Sequence, residues 1–496
     1  MARGFPALAI VLMLSAQAVA QEEHHNHPAP ERLGAVHFAN SCAPVVTAAF
    51  DRAVALLHSF AYDAADQGFA DVAARDPTCA MAHWGRAMTH YHQLWAPPTP
   101  PELTAGAAEI GKAAALLART PRERALIAAL AVYYADADHS SPAVRALRYS
   151  DAMATIARDN RDDDEVQVLF ALSLIATAPP ADRVHARQKR AADILEPIWK
   201  RRPQHPGVPH YLIHAYDSAE LAQRGLRAAR SYAGIAPSAP HALHMPSHIF
   251  TRLGLWDDSI SSNLAARAAA HAQGDVGEEL HAMDYLTYAY LQLGRTADAT
   301  KVVASLQPMG DLAAGVFKNG YAGNAMRVRL AVENRDWAAS AQLTPLTGSA
   351  PQVAAIVWWA RALGQLRRVP AGSAAGDILQ LRACRDVMRD SGDAYWAAQT
   401  DALLKSAEGW RAAAAGEAGL AVTALTAAAD LEDALEKLPV TPGPIVPARE
   451  QLGELLLTLN RPAEALSAFN AALTLAPGRR GAVQGAAEAK HRIAAP

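Results

Sequence analysis

One spacing constrains this chain more than any other. A small residue, a bulky residue four positions on and a proline eight further recur as Ala65, Phe69 and Pro77, and as Ala191, Leu195 and Pro203. They recur near the end as Ala465, Phe469 and Pro477, and the same frame, with alanine at the bulky position, as Gly225, Ala229 and Pro237. In chain order, the second and third copies lie 34 residues apart. A small residue lets two helices approach, a bulky one fills the gap between them, and the proline stops the helix. The frame therefore describes the second helix of a helix–turn–helix unit. A 34-residue period means a stack of such units, none able to bury its apolar face alone.

That period is the tetratricopeptide (TPR) period. It predicts an all-α fold, a TPR-like solenoid of antiparallel helix pairs forming a right-handed superhelix. No stretch alternates with period two, so almost no strand is expected. The solenoid with its histidine-rich central repeats should run over 37–305 and continue in helices over 306–438. Residues 439–447 (PVTPGPIVP) read as a linker, and 448–496 as a final repeat with a capping helix. The expected helix 350–438 spaces Trp358, Trp359, Trp396 and Trp410 for packing. Aromatics make up only 6% of the chain, which suits closely packed helices better than sheets.

The first twenty residues read as a secretory signal. Arg3 supplies the positive charge, 5–14 a short apolar core, and Ala18-Val19-Ala20 a cleavage site. The mature protein is expected to start at Gln21, to be periplasmic or secreted, and to begin with a disordered leader over 21–36 holding His24, His25 and His27. The core of the signal is too short to span a bilayer, and no later segment suggests a membrane span. A net charge of −3 gives no electrostatic footprint for nucleic acid. There are three cysteines. Export permits a disulfide, and Cys42 and Cys79 are the natural pair; the competing reading is that Cys79 is a small buried hydrophobe. Cys384 is left over.

The candidate site lies in 204–256, which holds His205, His210, His214, His241, His244 and His248. His210 and His214 are four apart, as are His244 and His248, and the second pair follows the first by 34. Residues four apart share a helix face, so HxxxH is a ready bidentate metal clamp. The repeat puts the two clamps at equivalent places on neighbouring first helices. They are placed to converge on one four-histidine site or on a dinuclear site. Tyr211 and Met245 stand where a zincin has its glutamate, which argues against a zincin peptidase. His241, and His281 with Asp284 on the next first helix, are further candidate ligands. Tyr211, Tyr216 and Ser247 are candidates to hydrogen-bond the outer imidazole nitrogens or a bound ligand. Pro206 and Pro240 suit first-turn positions, whereas Pro246 falls inside an expected helix, where a proline kinks it at a cost of about 3 kcal/mol.

Imidazole-rich ligation suits copper, zinc or iron, and also nickel. The function expected is binding of a transition metal ion on the concave face, for storage, delivery or catalysis. One alternative is a scaffold that grips a protein or peptide partner in the concave groove without metal. Another is a metal-dependent oxidoreductase or hydrolase. No phosphate loop, dinucleotide fingerprint or nucleophile triad is present. His58, His185, His37 and His271 read as core histidines. His83, His90 and His92, near Trp84 and Trp95, read as a second polar patch.

At these residues the chain resembles a family of exported bacterial TPR proteins. Its motifs HPGxxHYxIHAYD, APHALHMPSHIFTRLGxW and HAxDYLxYAYLQLGR match 205–217, 239–256 and 281–295. The resemblance extends upstream through SCAP (41–44), ALLHSFAY (55–62), DPTCAMAHWGRAM (76–88) and LWAPPTP (94–100), and covers 36–305. It implies an all-helical repeat fold and an exported protein, and it brings no activity with it. Two departures, Ala61 where a bulky aromatic is usual and Gln93 where proline is usual, lie outside the histidine stretch.

Overall fold

The repeat frame sets where each second helix ends. In a computed structural model of the chain these helices are Tyr62–Arg75, Ala186–Arg201, Ala222–Ile235 and Pro462–Leu475. Each stops two residues before its proline. The small and bulky positions of the frame are buried, and Phe69 and Phe469 are fully so. The packing leaves no room at the partners of these rings. A Cβ on Gly85 would stand 2.5 Å from Phe69, and one on Gly453 would stand 2.7 Å from Phe469. The model describes residues 32–94, 97–179, 182–310, 312, 317–437 and 440–495. The expected signal, most of the leader with its three histidines, and Trp95 lie outside the described residues.

Helix pairs follow one another along the chain, with no strand among the described residues. The architecture is the expected all-α TPR-like solenoid. No described helix is long and apolar enough to cross a membrane. Three first helices carry the histidine motifs. Gly207–Tyr216 follows Pro206, Val276–Gln292 carries His281, and between them the chain forms Pro240–His244 and Pro246–Arg252. Here the expectation of a kinked helix needs correcting. The helix is divided at Met245, and Pro246 opens a new segment, where its missing N–H is not needed. Met245 keeps helical angles (φ −51°, ψ −37°), and the His248 N–H bonds three residues back to the Met245 carbonyl at 3.1 Å. The two halves therefore stay nearly in register, and His244 and His248 still share a face.

The expected linker is a buried strap. Pro439 lies outside the described residues, but Thr441, Pro442, Gly443, Ile445 and Pro447 are buried. With Glu436 and Lys437 the segment runs along the first-helix face. Tyr285 donates to the Thr441 carbonyl at 3.2 Å, and Arg329 donates to the Gly443 and Pro444 carbonyls at 2.9 and 3.2 Å. Polar backbone that enters the interior needs such partners, and these side chains supply them.

The C-terminal repeat also returns to the central ones. Gly254, at φ +69°, turns the chain after the Pro246–Arg252 helix, and a Cβ there would lie 2.3 Å from the Pro477 carbonyl oxygen. The Trp256 indole N–H donates to the Gly478 carbonyl at 3.1 Å, and the Arg480 N–H bonds to Gln292 at 3.0 Å.

Two of the histidines read as core are on the surface. The His37 and His271 side chains are 71% and 80% exposed, each beside a carboxylate, Asp51 and Glu279. Each finds an acidic neighbour on an adjacent helix at the rim, which an apolar pattern does not reveal. His58 and His185 are buried. His83 pairs with Glu109 at 2.6 Å, and His92 packs on Tyr62, so this patch is organised by a carboxylate and a ring.

Cys42 and Cys79 form a disulfide with Cα atoms 4.8 Å apart, spanning 37 residues. Closing a loop of that length stabilises a fold by about 4 kcal/mol in the chain-entropy picture. Reduction, or the pair Cys42→Ala and Cys79→Ala, is expected to lower the unfolding free energy by about that amount. Urea denaturation with and without reductant measures it; an unchanged midpoint refutes it.

Candidate metal centre

Six imidazoles meet inside the first-helix face. His210, His214, His241, His244, His248 and His281 are all buried, none more than 7% exposed. They form two triads, His210 with His214 and His241, and His244 with His248 and His281. Within each triad one ligating atom per residue lies within 4.8 Å of the others. The two clamps thus do not close on one four-histidine site. Each takes its third imidazole from the start of the next first helix, His241 for the first and His281 for the second. The repeat makes the same three-histidine motif twice.

Hydrogen bonds fix which nitrogen each ring presents. His210 Nδ1 lies 2.6 Å from the His58 carbonyl oxygen, which can only accept, so Nδ1 carries the proton. His241 Nδ1 faces the Glu278 carboxylate at 3.3 Å, and His248 Nδ1 faces Asp217 at 2.9 Å. His244 Nδ1 donates to Asn263 Oδ1 at 2.6 Å; the Asn263 amide is oriented by its own donation to the Ser259 carbonyl. A neutral imidazole protonated at Nδ1 offers a bare lone pair at Nε2. Those Nε2 atoms point at one another. His210 stands 3.2 Å from His241 and 3.2 Å from His214, and His244 stands 3.0 Å from His248. Ligands about 2.0–2.1 Å from a tetrahedral ion stand roughly 3.3 Å apart, so the spacing is that of a coordination shell.

Burial keeps five of these rings neutral, which is the ligating form. It pushes His210, His214, His244 and His281 well below the ordinary imidazole value, with neighbouring imidazoles adding to the effect. His248 is lowered to about 4, mainly by burial and against the pull of Asp217. The supporting carboxylates remain ionised. Burial alone would raise them, but Lys437 and Arg252 hold Asp217 well down, and Lys318 does the same for Glu278. His214 Nδ1 is buried with no hydrogen-bond partner.

Aromatic rings close both triads. Phe60 lies 4.4 Å from the His210 ring and 5.5 Å from His241, and Tyr232 stacks on His210 at 5.1 Å. Tyr285 stands edge-on to His244 at 4.7 Å.

Several proposed positions act differently from expectation. Asp284 is not with the imidazoles; Arg329 takes its carboxylate at 3.0 Å in a fully buried pair. It lies three residues past His281 on a helix, and that turn carries it to the neighbouring first helix. Tyr216 bonds to Glu196 beneath Arg224, away from the cluster. Tyr211 reaches the site indirectly. It bonds to His58 Nδ1 at 2.9 Å, and the His58 carbonyl in turn orients His210. Ser247 touches Asn263, the acceptor for His244, at 3.5 Å. His58 and His205 both hydrogen-bond Glu165 at 3.0 Å, a buried network behind the first triad. Asp217, Glu278, Asn263, Phe60 and Tyr285 were not singled out by spacing. Asp217 and Phe60 do stand inside quoted motifs, at the end of HAYD and within HSFAY.

No family profile and no curated protein matches the chain. Among solved structures it is similar to the human IFIT1 dimer with m7Gppp-AAAA, at 11% identity and a TM-score of 0.38 over 84% of this chain and 90% of that one. It is also similar to the Cut9–Hcn1 hetero-tetramer, at 12% identity and 0.35, covering 91% of this chain and 77% of that one. Yeast Tom70 matches at 10% and 0.32, over 90% and 88%. Likeness at this level says nothing about ligand or partner.

Proposed function

We propose that this protein is a helical-repeat metalloprotein whose buried histidine cluster binds a transition metal, with copper, zinc or iron the candidates. The observation that carries the reading is the convergence of Nε2 lone pairs. His210, His241, His244 and His248 each have Nδ1 committed as a donor, yet their Nε2 atoms face other Nε2 atoms at 3.0–3.2 Å. Two lone pairs at that distance repel unless a cation or a proton lies between them, and burial opposes the proton. A metal ion in each triad satisfies them.

Three imidazoles leave a coordination position open, the arrangement of a site that binds or activates a small molecule. The scaffold alternative requires a free first-helix face, and the strap residues 440–447 already cover the part nearest the cluster. Residues 1–20 and the Cys42–Cys79 disulfide support an exported protein in an oxidising compartment.

Elemental analysis of the full protein, purified from metal-replete cells without chelator, tests the proposal. Stoichiometric copper, zinc or iron is expected, with the content falling in His210→Ala and His244→Ala. A wild type with no stoichiometric metal refutes it.

A further inference from the structure

Resting on that metal reading, we infer that the two triads hold a pair of copper(I) ions and that the pair takes up dioxygen between them. Three features of the cluster lead there.

The first is duplication. Each triad is three imidazoles, with no carboxylate among the six. The triads are also neighbours. The His214 and His248 rings are 6.0 Å apart and those of His241 and His244 are 6.3 Å apart. Within the triads the ring separations span 4.2–6.5 Å. Two ions held three-coordinate this close share the space between them, as two-metal sites do.

The second is charge. Carboxylates that flank the six imidazoles are already balanced, and Glu165 behind them is taken by His58 and His205. Asp217 and Glu436 face Arg252 and Lys437, Glu278 faces Lys318, and Asp284 faces Arg329. Two divalent ions would add four uncompensated positive charges to a buried, ring-lined site, and two monovalent ions add two. Isolated buried charge is costly, so the lower total is favoured. Among imidazole-binding metals, copper is the one with an accessible monovalent state.

The third is what dioxygen does to that balance. Each copper(I) gives one electron, so two copper(I) and one O2 become two copper(II) and one peroxide dianion. The O–O double bond becomes a single bond, two electrons move, and no proton or other reductant is needed. The total charge of ions plus ligand is two positive before and after. A buried site with fixed counter-charges can accept such a change without rearrangement. Phe60, Tyr232 and Tyr285 line the site and limit water around the product.

The test uses the full-length protein, stripped of metal and loaded without oxygen using copper(I) alone. Two coppers per chain are expected. On admitting oxygen, one O2 should be taken up per pair. An intense near-ultraviolet charge-transfer band should appear, and the electron-paramagnetic signal should stay silent because the two copper(II) spins couple. His281→Gln should drop copper from two to one per chain and abolish the band; His241→Gln, in the other triad, should do the same. Circular dichroism identifies any variant that fails to fold, and the other then decides. A single copper per chain in the wild type overturns the inference. So does a pair that gives a full copper(II) signal and no band. If zinc or one copper binds stoichiometrically, the metal reading stands and only the pair falls; if no metal binds, both fall.

Discussion

Asp217→Ala is expected to destabilise the protein by about 3–5 kcal/mol and to weaken metal binding at one triad only. The Asp217 carboxylate accepts from His248 Nδ1 at 2.9 Å, from Arg252 at 2.9 Å and from Lys437 at 2.8 Å. It is 5% exposed, and Lys437 is 8%. Removing it leaves a buried ammonium and guanidinium facing each other with Glu436 as the remaining counter-charge. It also frees the His248 ring to turn and to change tautomer. Loss of such a supporting acceptor typically costs 10–100-fold in metal affinity. The triad of His210, His214 and His241 has its own supports, the His58 carbonyl and Glu278, and should keep its affinity. Asp284→Ala provides the contrast. It breaks an equally buried pair with Arg329, so stability should fall comparably while both affinities hold. Denaturant midpoints and a competition titration with a chromophoric chelator read the two effects separately. If Asp217→Ala weakens neither stability nor metal binding, the carboxylate does not support the site as described.

Metal-free protein should lose stability steeply as the pH falls from about 6.5 to about 4. In the unfolded chain the imidazoles take up protons near their ordinary value of about 6.5. In the folded protein His248 does so only near 4, and His210, His214, His244 and His281 are also held well below the ordinary value. Over that window the unfolded state binds more protons, so stability is present above about pH 6.5 and drains away as the pH falls. His248 alone contributes about 3 kcal/mol at about 1.4 kcal/mol per pH unit. Four more buried imidazoles are held down in the same direction, so their losses add to that of His248, and a typical domain is held together by only about 5–15 kcal/mol; acid unfolding is expected as the pH approaches 4. Bound metal competes with the same protons, so the loaded protein should unfold at lower pH. Far-ultraviolet circular dichroism against pH, with and without metal, measures both. A metal-free protein with unchanged stability at pH 4 contradicts neutral, buried imidazoles.

Much of the architecture could be read from residues, because repeats write their packing into a fixed period. The small, bulky and proline positions marked four second helices, and the 34-residue offset placed His210 and His244 on equivalent first helices. The partition of ligands was not legible. His241 and His281 join the clamp on the helix before their own, and that depends on how successive first helices cross. Asp284 illustrates the same limit, since one helical turn decides whether it meets an imidazole or Arg329. The acceptors Asp217, Glu278 and Asn263 escaped notice because each supports a ring on another helix, and nothing in local spacing reports that. The 439–447 segment misled for a related reason. Proline and glycine without periodicity describe irregular backbone equally well whether it lies in solvent or inside, where Arg329 and Tyr285 satisfy it.

The contact of Gly254 and Trp256 with Pro477 and Gly478 changes what kind of object the array is. An open solenoid behaves like a one-dimensional chain of coupled units, in which the last unit has one neighbour and melts first. Here the last repeat has two, one along the chain and one more than two hundred residues back. The boundary condition is closer to that of a ring than of a rod. Fraying from the C-terminus then has to break a second interface, one that opens beside the helix carrying His244 and His248. Loss of the final repeat is thereby coupled to the geometry of a site far from it in sequence.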